Sequence, residues 1–468
     1  MIQVKSRLQK LEKFVDAHHA YLKLRKVLRE DQLFLLESLS GPKADNSKIL
    51  VGFNPIVSFV LSGKKLKIIG NDFLKNIFNQ LINEKLNIDL SDDCYKLESK
   101  KQFLMILRLV ESIFHIDYLG THRGFQFGFF GMFDTQSLNN CFDYENESSV
   151  PNIYLSIYQG MIYSDLVSGS TSLIVNQIEG VECYSRASIE ALLLSDEKIE
   201  INENKNLNQL KSSSLDDESL NKTNFLAQFN TAIKEIENGC FYQVAINEPV
   251  SVSSERQPFS VYQNLRKITP APYMYYACFN GLSVIGASLG LFINIENNEI
   301  SMRPASWQFK ALDNHQDELD YLQRQHLLLV DLCQNDLAKV VEHKSLKLEN
   351  DFKKEAYEEI ISLVSEIKGE KAQHLDKYDV LYAVMPPQAL SSAPKNKQNN
   401  HAAIGFIDFR GTMQLALAVR EIHHQDNQYQ ADLVSMVISD SNSEYLYEQR
   451  EALLKPIMTS IRSPGEEK

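Results

Sequence analysis

Tryptophan, proline, paired cysteines and long apolar runs are what this sequence has least of, and each shortage closes off a class of protein. With 13 prolines and 19 glycines in 468 residues, the chain is neither collagen-like nor a proline-rich disordered polymer. Its six cysteines (Cys94, Cys141, Cys183, Cys240, Cys278 and Cys333) stand far apart, with no CxxC pair. That spacing indicates neither a zinc site nor a disulfide framework, and buried, reduced thiols are expected. No stretch approaches the ~20 apolar residues that span a bilayer. The N-terminus, MIQVKSRLQKLEKF, is charged and amphipathic and lacks the apolar centre of a signal peptide. A soluble, cytoplasmic protein with no membrane partner is expected. There is no basic tract either: 48 basic against 61 acidic residues leave a net charge of −13, which disfavours a phosphate backbone, so no nucleic-acid partner is expected.

What is present is an ordinary globular balance, 44% hydrophobic and 23% charged, long enough for several domains or one large two-lobed unit. Residues 1–194 mix strand-like runs (Ile49–Val51, Val57–Leu61) with a helical stretch at Lys101–Phe114. The aromatic and glycine cluster GFQFGFFGMF (124–133) predicts strands packed closely against other backbone. Residues 195–222 are rich in Ser, Asn, Asp, Glu and Lys and read as a polar linker or long loop, in which IEI is at most a short strand. In residues 223–468, Phe225, Phe229, Ile233 and Ile236 have helical spacing, with a left-handed stop at Asn238-Gly239. FYQVAINEPV and LSVIGAS read as strands, and Leu322–Val341 as a helix with Leu327, Val330, Leu337 and Val341 along one stripe. Tyr357–Ile367 reads as an amphipathic helix ending at Gly369, GFIDF and QLALAV as a hairpin turning at Arg410-Gly411, and Glu444–Met458 as a terminal helix. Strands and helices are mixed without strict alternation, which predicts an α+β fold.

Ten segments in order resemble the large subunits of anthranilate synthase and aminodeoxychorismate synthase. They are LFLLES (33–38), GCFYQV (239–244), TPAPYMYY (269–276), VIGAS (284–288), MRP (302–304), HLLLVDLCQNDLAKV (326–340), LVSEIKG (363–369), SSAPK (391–395), GFIDFRGTMQLALAVR (405–420) and ISDS (438–441). The resemblance covers nearly the whole chain. It implies a large two-lobed α/β sandwich that binds chorismate and Mg²⁺ and receives ammonia from a glutaminase. No Cys-His-Glu glutaminase module stands in this sequence, so such a partner is expected to be a separate chain.

The positions that carry the family's chemistry are altered. Mg²⁺ needs hard oxygen ligands, and the resemblance implies two ExxE pairs, each placing both carboxylates on one helix face. The first falls on Leu322 and Gln325, directly before His326. The second falls on Leu446 and Gln449 without gaps, or on Glu448 and Glu451, followed by Lys455, if two residues are inserted; both alignments stay open. The implied general acid is Gly290, and the position of the aminodeoxychorismate-type lysine is Ser306. Trp307 stands where the family has glycine, VSMVI (434–438) replaces a glycine-rich carboxylate-binding turn, and Gln388 and Ser392 replace two further glycines. His326, Asp331, Asn335, Asp336, Ser365, Lys395 and Arg420 match. Of these, Ser365, Lys395 and Arg420 are implied substrate contacts, Arg420 to a carboxylate, while Asp331, Asn335 and Asp336 read as packing and capping groups. Leu36, Glu37 and Ser38, with Pro272, Tyr273 and Met274, match the segments framing the tryptophan feedback pocket, where Glu37 or a nearby carbonyl is expected to take an ammonium.

These substitutions predict a catalytically degenerate member that binds a small aromatic acid, an amino acid or a protein partner, the last being a glutaminase or an authentic synthase subunit. The alternative is an active aminase with Mg²⁺ held at Glu448 and Glu451.

Overall fold

A strand sends successive side chains to opposite faces, so two alternating sets of apolar residues make a strand that is buried on both. In Leu33–Glu37, Phe34 enters a core with Phe130 and Tyr158, while Leu33 and Leu35 enter another with Tyr21 and Val261. Gly128–Asp134 divides the same way: Phe130 and Met132 join the first core, and Phe129 and Phe133 meet Phe78 and Leu104 of helices Asp72–Leu86 and Lys100–Ser112. An aromatic interior therefore lies between sheet faces. The outward faces are covered by Asp72–Leu86, Lys100–Ser112 and Lys377–Val384 on one side and by Ala17–Leu24, Pro258–Ile268 and Ser443–Ile461 on the other. This is the α+β sandwich that the sequence predicts.

The computed structural model describes residues 1–40, 48–120, 124–134, 150–195, 218–309, 316–356, 360–385, 387, 402–418 and 420–462. Most of the polar stretch 195–222, with its IEI, lies outside them, as do Cys141, Gln388, Ser392 and Lys395; residues 218–222 open helix Glu218–Glu237. Among the described residues 22 strands join in one largely antiparallel system, with Ile2–Lys10 parallel to Phe114–Leu119. Strands from both ends of the chain alternate in it. Leu33–Glu37 pairs with Tyr273–Phe279, and Gly128–Asp134 with Ala402–Asp408.

Close packing at glycine is realised in a specific form. Phe34–Gly52, Phe53–Gly160 and Tyr275–Gly286 are directly opposed cross-strand pairs. A Cβ on any of the three glycines would stand 1.9 Å from the facing ring, so each ring lies across the space a side chain would fill.

Several predicted elements form as read, among them the hairpin of Ala402–Asp408 and Met413–Ala418 and the terminal helix Ser443–Ile461. Two readings are corrected. Residues 360–370 are a strand, not the end of an amphipathic helix: Ile360–Glu370 bonds to Glu299–Arg303, Ala305–Phe309 and Lys347–Ala356, and Ile360–Ser365 are all buried. A strand buried on both faces has no period-2 signature. In helix Gln316–Leu337 the packed stripe is Leu322, His326, Val330 and Leu337, whereas Leu327 is 52% exposed. The cysteines divide as well, Cys278 and Cys333 being buried and Cys240 exposed.

Candidate functional site

Helices Gln316–Leu337 and Ser443–Ile461, with the strands Leu291–Glu296, Glu299–Arg303, Ala305–Phe309 and Gln428–Ile438, enclose a cavity of about 150 Å³. Tyr321, Gln325, Leu329 and Cys333 recur every fourth residue and form one wall. Leu446, Gln449 and Leu453 form another. Gly290 sits just past the strand Leu282–Ser288, where Ser288 Oγ accepts from its backbone N–H at 3.3 Å. Ser306 and Trp307 come from the strand after Pro304.

Gly290, Ser306, Trp307, Gln325, Asp336, Leu446 and Gln449, all singled out from the sequence, thus line one cavity, together with Val434, Ser435 and Met436 of VSMVI. Leu322 is buried, 1% exposed, and is not part of the lining. The gapless reading of the second pair is therefore the one that faces the cavity. Glu448 is exposed and Glu451 is 39% exposed, paired with Arg450, and neither lines the cavity. Glu448 and Glu451 are thus turned away from the face that Leu446 and Gln449 present, since one residue of helix phase is a rotation of about 100°.

The charges that reach the cavity are already matched. Arg450 is ion-paired with Glu248 and Glu451. Asp336, the one carboxylate in the described lining, receives Lys339 Nζ at 2.6 Å. The hydroxyls of Tyr321 and Tyr445 are bonded to Ser441 Oγ at 3.0 Å and Gln308 Oε1 at 3.1 Å. Mg²⁺ requires several oxygen ligands in octahedral array. Among the described residues no three His, Cys, Asp or Glu side chains converge on a cation-sized point. The donor set of the described lining does not fit Mg²⁺.

His326 lies beneath the cavity floor with no exposed surface, between Ser306 Oγ (3.2 Å from Nδ1) and Ser365 Oγ (2.9 Å from Nε2). Ser365 Oγ also accepts the Phe352 N–H at 3.1 Å. Burial lowers the imidazole pKa to about 4, so the ring is neutral, donating through one nitrogen and accepting through the other. Arg420 is buried with its guanidinium 5.3 Å from the Trp307 ring centroid, and desolvation lowers its pKa to about 10, which leaves it charged at neutral pH. Neither Ser365 nor Arg420 is part of the cavity lining: the Ser365 hydroxyl is bonded to His326, and the Arg420 guanidinium lies over the Trp307 ring. The sequence reading also missed Tyr321, Arg450 and Tyr445. Helical phase would have found all three, Tyr321 one turn from Gln325, Tyr445 one turn from Gln449 and Arg450 one turn from Leu446.

A second cavity, of about 280 Å³, brings together all six residues matched to the feedback pocket: Leu36, Glu37, Ser38, Pro272, Tyr273 and Met274. Glu37 does not serve it as expected. Its side chain shares the strand face of Leu33 and Leu35 and takes Arg266 in a two-pronged ion pair at 2.9 and 3.0 Å, with Tyr262 Oη donating at 2.5 Å. Leu36, with Tyr275 opposite, lies on the other face of that strand and lines the same cavity. Polar residues in its lining include Asn294, Gln414 directly across from it, Ser38, Thr412 and the half-buried Glu296.

The family model described as chorismate binding enzyme matches residues 84–458. A 2-amino-4-deoxychorismate synthase of Streptomyces globisporus is 27% identical over 99% of this chain and 98% of its own length. An anthranilate synthase component 1 of Aquifex aeolicus is 30% identical over 48% of this chain and 50% of its own. Among solved structures, anthranilate synthase component I of Streptococcus pneumoniae aligns with a TM-score of 0.62 at 18% identity, over 89% of this chain and 92% of that one. The menaquinone-specific isochorismate synthase MenF of Escherichia coli aligns equally well, at 12% identity over 99% and 95%. At those identities the likeness to the solved structures is one of fold.

Proposed function

The chain belongs to the family of chorismate binding enzymes, and from that premise we propose that it binds a small ring compound in the family's cavity without performing the family's metal-dependent chemistry. One observation carries the reading. The positions implied for general acid and metal ligands converge on one cavity, and there they are Gly290, Gln325, Leu446 and Gln449. A glycine cannot protonate a leaving hydroxyl, a leucine cannot ligate a cation, and an amide brings no charge to offset dehydration of Mg²⁺. The neutral His326 and the covered Arg420 then keep the fold of the site. The second cavity, in this proposal, takes an amino acid, its ammonium meeting Glu296 rather than Glu37. Titration calorimetry with tryptophan tests that point, heat in the parent protein and none in Glu296→Gln being the expected pair.

The competing reading, an active aminase fed by a separate glutaminase, is favoured by the near end-to-end match to a 2-amino-4-deoxychorismate synthase. Incubating the full-length protein with chorismate, Mg²⁺ and ammonium decides between them. Undiminished chorismate is the expected result. Turnover that is lost in Glu448→Gln or Glu451→Gln would refute the proposal and restore those residues to the metal.

A further inference from the structure

Gln449 has a second peculiarity besides its position. It is 8% exposed, it lines the first cavity, and among the described residues neither its amide nitrogen nor its amide oxygen has a hydrogen-bond partner. Buried polar groups are almost always bonded, because an unmade bond leaves the whole desolvation cost uncompensated. A primary amide held this way is an open donor–acceptor pair. Gln325, on helix Gln316–Leu337, presents a second amide to the same space. Around them the lining is apolar and aromatic, including Leu289, Phe292, Met302, Trp307 and Leu453.

We propose that Gln449, with Gln325, recognises a neutral planar ring bearing a carboxamide or lactam-like group, and does so without a metal ion. This rests on the reading that the cavity binds a small ring compound, and it names the class. An amide facing an amide exchanges two hydrogen bonds, N–H to O in each direction. A carboxylate only accepts, so it leaves Gln449 Oε1 unmade. Its charge would also enter an apolar space whose described cation, Arg450, is held by Glu248 and Glu451. Size points the same way: at about 150 Å³ the cavity matches the space that holds one benzene ring in an engineered protein interior. Trp307 supplies an aromatic wall, and as the sole tryptophan it reports on occupancy.

The test is a titration of the full-length protein with benzamide, benzoate and toluene, followed by Trp307 emission and by calorimetry, with and without a chelator. Benzamide is expected to bind at least about tenfold more tightly than benzoate, with no effect of chelation. Gln449→Met should weaken benzamide about tenfold and leave toluene within about twofold, which also shows that the variant keeps its cavity. Gln325→Met serves as a second variant should the first not fold, with a smaller loss expected. A preference for benzoate, loss of binding on chelation, benzamide binding indifferent to both glutamines, or no binding of benzamide at all would each overturn the proposal. None of these outcomes bears on chorismate turnover, whose detection would overturn the preceding reading instead.

Discussion

Replacing His326 by glutamine should remove an acid-side loss of stability that the parent protein shows. The imidazole is buried, bonded among the described residues to two serine hydroxyls alone, and its pKa is lowered to about 4, whereas an unfolded histidine titrates near 6.5. Between these values the unfolded chain binds a proton that the folded chain refuses. The stabilisation is therefore fully present above pH 6.5 and is lost as the pH falls toward 4. From pH 7.5 to pH 5, a shift of that size takes away about 2 kcal/mol. Glutamine carries no titrating group and can keep one of the two hydroxyl contacts, so at pH 7.5 its cost is the other, about 1 kcal/mol. His18 and His424 are also lowered by burial and contribute in the same direction, but in both proteins alike. Urea titrations of the two proteins at pH 7.5 and pH 5 measure the difference. Equal losses in parent and variant would refute the assignment of His326 as a buried neutral group, and a parent that gained stability in acid would refute the sign.

Three further perturbations follow from the geometry. Glu37→Leu strands Arg266 and Tyr262 without their carboxylate and should cost about 3 kcal/mol in chemical denaturation; a near-neutral change would show that the pair is not buried in solution. Gln325→Glu combined with Gln449→Glu should create a divalent-cation response that the parent lacks, about 3 kcal/mol of added stability at a hundredfold excess of Mn²⁺ over its dissociation constant, read as a metal-dependent rise in Tm. Gly290→Ala should be tolerated within about 0.5 kcal/mol, since its Cβ meets nothing nearer than Leu417 Cδ1 at 3.7 Å, while Gly131→Ala, whose Cβ would lie 1.8 Å from the Tyr154 carbonyl oxygen, should cost more than about 3 kcal/mol. Equal thermal shifts in the two glycine variants would contradict the backbone positions of both.

Motif order revealed the fold, and local phase revealed much of the site. Gly290, Ser306, Trp307 and Gln325 were identifiable because each sits at a fixed offset from an anchoring segment, and fixed offsets within one strand or helix survive folding. The second pair was ambiguous for the same reason: Leu446–Gln449 and Glu448–Glu451 differ only in phase along Ser443–Ile461, and burial chooses between them. Two kinds of fact stayed out of reach. The strand Ile360–Glu370 owes its form to three partners distant in sequence, so its local pattern of Ile360, Val364 and Ile367 mimicked a helix. Side-chain commitments were equally hidden: nothing near Glu37 in sequence announces that Arg266, 229 residues away, consumes its charge.

The alternation of early and late strands has a consequence for how the chain is made. Leu33–Glu37 finds its Tyr273–Phe279 neighbour only after some 240 further residues have been synthesised, and Gly128–Asp134 waits longer for Ala402–Asp408. At a few residues per second, the first half spends many seconds outside the ribosome with open β edges and a half-built aromatic interior. Such non-local pairing gives a high contact order and a slow final closure. A nascent chain halted near residue 220 should accordingly remain protease-sensitive, however complete its own helices are.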